Sequence, residues 1–82
     1  MKLRETLHLL VSVNIGKEFI EHVSLPRATE RLAVEMFMKG DCVSPEAEVV
    51  RYALAAFEAG GYIDNDAEVP HFPKFGEYGE RA

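Results

Sequence analysis

With a single cysteine, Cys42, among its 82 residues, the chain cannot close a disulfide within itself. That suits a reducing compartment, and a cytoplasmic location is expected. No stretch approaches the roughly 20 apolar residues of a membrane span, so no membrane association is expected. Lys2 and Arg4 precede only a short apolar run, broken by His8, Ser12 and Asn14, and no small-residue cleavage site follows. A signal peptide is therefore not expected. There is no glycine-rich phosphate loop, no internal repeat and no low-complexity tract.

Catalytic and metal-binding patterns are also missing. The three histidines, His8, His22 and His71, lack the spacing of zinc ligands. Asp64-Asn65-Asp66 has the look of a calcium-binding loop. Val69, however, stands where the central glycine belongs, and Phe75 where the terminal glutamate belongs. A lone cysteine without a spaced partner is more often a small filler than a nucleophile. The sequence thus predicts no metal, no cofactor and no enzyme.

What is present is one small domain with uneven charge. The net charge is −5. Residues 1–40 hold six basic against five acidic side chains, and residues 41–82 hold three against nine. One half would tolerate a polyanion and the other would repel it; solubility alone also accounts for the acids. A chain this short buries a modest share of its surface, and small proteins without disulfides or metals often gain stability by associating.

Along the chain, Leu7, Leu9, Val11 and Val13 alternate as on one side of a strand. Gly16 allows a turn. Residues 19–25 again read as extended, with Phe19, Glu21, Val23 and Leu25 on one side and Ile20, His22 and Ser24 on the other. Pro26 pushes Leu25 toward an extended conformation and suits the first turn of a following helix. Ala28, Leu32, Ala33, Met36 and Phe37 then recur at helical spacing, and Gly40-Asp41 stops that helix. Ser44-Pro45 caps a second helix over 45–59, with Ala47, Val50, Ala53, Leu54 and Phe57 as its buried stripe. Gly60-Gly61 ends it. Pro70, Pro73 and Gly76 exclude regular structure further on.

A strand followed by two capped helices resembles the ribbon-helix-helix family of Arc-, CopG- and ParD-type repressors and antitoxins. The resemblance rests on Phe19–Leu25 as ribbon, Pro26-Arg27 opening the first helix, Gly40–Ser44 as the turn, and Glu48-Val49-Val50-Arg51-Tyr52-Ala53-Leu54, which is similar to the family's S-E-V-I-R-x-A-L run. Ala47 replaces the family's serine. Residues 10–15 are a competing ribbon.

The expected architecture is therefore α+β: a short N-terminal strand or strands, then two antiparallel helices, forming a ribbon-helix-helix-like homodimer. The alternative is a monomeric β-hairpin of residues 7–13 and 18–25 with two helices on one face. Residues 1–63 form the domain, and residues 64–82 an irregular acidic, aromatic tail. The resemblance implies a DNA-binding regulator, with Ile20, His22, Ser24, Arg27 and Ser44 toward DNA. Phe72, Phe75 and Tyr78 in the tail would hold a protein partner. The rival is a small acidic protein-binding module or inhibitor, imitating nucleic acid and without DNA affinity.

Overall fold

Helices take up most of residues 2–70, the part of the chain that the computed structural model describes. They run α1 (Leu3–Asn14), α2 (Lys17–His22), α3 (Leu25–Met38) and α4 (Pro45–Gly60). Among the described residues there is no sheet, and the one extended pairing is an isolated antiparallel bridge between Lys2 and Glu68. The expected α+β fold, in both its ribbon and its hairpin form, is thereby corrected.

The reason lies in which period the apolar residues obey. Leu3, Leu7 and Val11 are buried at four-residue spacing on α1, while Leu9 and Val13 point outward at 52% and 73% exposure. A strand would have put Leu7, Leu9, Val11 and Val13 together. Both periods fit a run this apolar, and burial against the other helices decides for the helical one. Thr6 and Asn14 turn their polar groups back onto the helix, donating to the carbonyls of Lys2 and Leu10. Gly16, at φ 145°, breaks α1 and lets α2 start at once.

The expected ribbon, residues 19–25, is mostly α2. Only Val23 and Ser24 are extended, and Leu25 is already the first residue of α3. Pro26 is accommodated inside the first turn, where its missing N–H would have had no partner. Both later helices fall where periodicity places them. The end of α3 is a Schellman turn: Gly40 at φ 87° donates to Phe37 O, and Asp41 N donates to Met36 O. Ser44 Oγ accepts from Ala47 N at 3.1 Å and caps α4.

The core has two connected halves. Leu3, Leu7, Leu25, Val49, Ala53, Phe57 and Ile63 form one. Val11, Ala28, Leu32, Ala33, Met36, Ala47 and Val50 form the other. Ala28 and Ala33 on α3, and Ala47 and Ala53 on α4, are each no more than 5% exposed, which lets these helices approach closely. Leu54, expected in the buried stripe, is only half-buried beside the second half; Val49 is buried instead. Thr29 is fully buried and satisfied, its hydroxyl donating to Leu25 O at 2.8 Å.

Residues 61–69 return to the start of α1. Ile63 is buried, Arg4 donates to its carbonyl at 3.0 Å, and Leu3 N donates to Ala67 O at 2.8 Å. Lys2 Nζ sits 3.0 Å from Glu68. The hydrogen bond from Lys2, and then its charge, hold the Glu68 carboxyl below the ordinary carboxylate value.

Two predictions follow from this arrangement. Leu7→Ala should lower unfolding free energy by about 2–5 kcal/mol in chemical denaturation, because Leu7 is fully enclosed by the first half of the core. A depressed carboxylate value contributes stability above the unfolded-state value, and that contribution is lost as pH falls through the folded one. The exposed pair keeps the effect small. In an NMR titration the Glu68 midpoint should rise to the ordinary carboxylate range in Lys2→Met and stay low in the parent.

Candidate interaction surface

On the side of α3 turned away from its buried stripe, Arg27, Arg31, Val34 and Met38 follow one another at helical spacing. Val34 is 50% and Met38 81% exposed. The short α2 lies against α1 and α3 and is anchored by Ile20, which touches both halves of the core. With Ile20 turned in, Phe19 and Val23 stay half-exposed beside α3.

Two open troughs meet at those two side chains. One, of about 610 Å³, is lined by Ile15, Lys17, Glu18, Phe19, His22 and Val23, with Gly16 in its floor. The other, of about 400 Å³, is lined by Phe19, Val23, Arg27, Glu30, Arg31 and Val34. Phe19 and Val23 belong to both, so the troughs form one surface across α2 and α3. Its floor is apolar and its rim carries both signs of charge. Arg31 is tied to Glu35 at 3.1 Å along its own helix. Lys17, Glu18, Arg27 and Glu30 have no hydrogen-bonding or ionic side-chain partner among the described residues.

The residues that the sequence assigned to DNA do not form one row. His22 and Arg27 lie on the trough, one in each half. Ile20 is turned into the core side of α2. Ser24 is exposed at the start of α3 and makes no side-chain cap bond there. Ser44 sits on a different helix, where its hydroxyl is used as the cap of α4. Phe72, Phe75 and Tyr78 lie outside the described residues.

Sequence reasoning missed Phe19, Val23, Val34 and Met38 as surface residues. Val34 and Met38 sit on the polar side of an otherwise clean amphipathic helix, together with Arg27 and Arg31, and that mismatch was the available signal.

Elsewhere, Arg51 is fully engaged. Its guanidinium lies 5.5 Å from the centre of the Phe37 ring, donates to the Cys42 carbonyl and meets Glu48 at 3.4 Å. This holds the turn between α3 and α4. Cys42 is half-buried in that turn. Among the described residues no three His, Cys, Asp or Glu side chains converge in a way that could hold a metal ion, and no helix is long and apolar enough to cross a membrane.

No family model, no curated protein and no solved structure matches this chain.

Unlike Ile15 and Phe19, which also pack against the core, Val34 belongs to neither half of it, so a substitution there should not disturb folding. Val34→Ser should change the melting temperature by less than Ser44→Ala, which removes a cap worth about 1 kcal/mol. Parallel thermal melts followed by circular dichroism compare the two.

Proposed function

We propose that this chain is a non-catalytic protein-interaction module and that the α2–α3 trough is its working surface. The observation that carries this reading is the trough floor. Phe19, Val23 and Val34 bring apolar surface together there, and the exposed Met38 follows Val34 one turn on along α3, in a very small domain where scattered exposure is the norm. An apolar floor inside a rim of mixed charge is how protein-binding surfaces are built: the floor supplies affinity and the rim supplies orientation.

A nucleic-acid partner is less well supported. The DNA reading stood on a ribbon strand, and all of those residues but Val23 and Ser24 are helical. The chain also carries a net charge of −5, which opposes approach to a polyanion. The acidic module that the sequence offered as its rival is closer to this reading, with the difference that the contact surface is the charge-balanced trough and not the acidic half.

The test is site-specific photo-crosslinking in cells of the encoding organism. A photoreactive residue in place of Val34 should give protein adducts, and one in place of the exposed Ala55 on α4 should not. Equal yields at both sites, or none at Val34, would sink the reading. Adducts to nucleic acid from position 34 would restore the DNA alternative.

A further inference from the structure

We propose that the trough is covered by the same trough of a second copy of this chain, in a two-fold symmetric dimer. This rests on the reading of the trough as a protein-binding surface and names its partner.

The argument begins with charge. Two copies that each carry −5 repel one another, so association is favoured where the local charge is balanced. The trough is such a place: Lys17, Arg27 and Arg31 line it together with Glu18 and Glu30. Three of the other exposed apolar side chains, Val43, Tyr52 and Tyr62, have acidic neighbours in the chain, whereas Leu9 and Val13 on α1 stand among uncharged residues that offer a partner no ionic pairing. Val43 and Tyr52 lie near Asp41, Glu46 and Glu48, and Tyr62 precedes Asp64 and Asp66. Self-contact there would bring carboxylates together.

Symmetry strengthens the case. Across a two-fold axis, whatever one copy offers the other must receive, and the same pair then forms twice. A face of one sign cannot satisfy this. A face with both free cations and free carboxylates can, and the trough has Lys17 and Arg27 beside Glu18 and Glu30, all exposed and without a hydrogen-bonding or ionic partner among the described residues. An acidic peptide or a basic one would satisfy half of these groups and oppose the other half.

Size is compatible. A standard interface takes about 800 Å² from each partner, roughly a seventh of the 5700 Å² surface here. The outward stripe of α3, continued by Phe19 and Val23 of α2, offers one contiguous surface for such a contact.

The experiment uses the full chain in sedimentation equilibrium at micromolar concentrations. The parent should sediment as a dimer. A face whose free charges are acidic (Lys17→Glu with Arg27→Glu, Arg31 remaining paired to Glu35) and one whose free charges are basic (Glu18→Lys with Glu30→Lys) should each be monomeric, with helix content unchanged by circular dichroism. Mixed in equal amounts, the two variants should form a heterodimer with a dissociation constant at least about tenfold below that of either alone. That rescue does not depend on which cation faces which carboxylate. A monomeric parent overturns the proposal whatever the variants do. So does a dimer that survives both reversals, or a mixture that fails to associate. If the parent is monomeric while position 34 still crosslinks to a different protein, the trough keeps its role as an interaction surface and the second copy is ruled out.

Discussion

Leu3, Leu7 and Val11 lie one turn apart on α1, are each no more than 1% exposed, and reach both halves of the core. The first two meet Leu25, Phe57 and Ile63; the third meets α3 and α4 beside Ala28 and Ala47. Without that stripe the α3–α4 pair would be a two-helix hairpin with one face bare, and such a pair does not supply enough burial to stand alone. The rest of the fold is arranged around this contact. Residues 61–69 close over the start of α1 through Ile63, Arg4 and Lys2, and α2 closes over its other end through Ile20. Turning Leu3, Leu7 and Val11 inward also forces Leu9 and Val13 outward, since the opposite side of the same helix has nowhere else to go.

The later half of the fold was readable in the sequence because its signals are local and redundant. Pro26, Gly40, Ser44, Pro45 and Gly61 each act within a turn of where they stand, and each agrees with the apolar period beside it. The first half was misread because its signal is not local. Residues 7–13 fit period two and period 3.6 alike, and only the presence of α3 and α4 selects the helix. At residues 19–25 the two-sided alternation of Phe19, Glu21, Val23 and Leu25 against Ile20, His22 and Ser24 suggests a strand, when the backbone needs just Val23 and Ser24 extended to enter α3. The resemblance to ribbon-helix-helix proteins was carried largely by α4, whose run from Glu48 to Leu54 is an ordinary amphipathic helix with an N-terminal acid. That pattern specifies a helix and leaves open what precedes it.

The same misreading hid the trough. On a strand, Phe19 and Val23 would share a buried face with Glu21 and Leu25. On a helix, Ile20 becomes the anchor, and Phe19 and Val23 move to the edge facing α3. Of the residues assigned to DNA, His22 and Arg27 both line this surface for a reason unrelated to a ribbon: they stand on either side of the extended Val23-Ser24 link between α2 and α3.

Occupation of the trough, as proposed, would link stability to association. Four of the buried positions on α3 and α4 are alanines, so helix contact is close but each contact buries little apolar area. The larger side chains that would deepen such a core are instead spent outside it: Val34 and Met38 on α3, Leu9 and Val13 on α1. A domain of this length with a lean interior is marginal by itself, and covering apolar surface on α3 adds burial to the helix that both halves of the core share. Whatever occupies the trough binds the folded chain and not the unfolded one, so it raises stability by mass action in proportion to the logarithm of its concentration. Where the occupant is a second copy, that concentration is the protein's own. Folding would then become firmer as the chain accumulates, and the charge-balanced rim would let two acidic chains meet there.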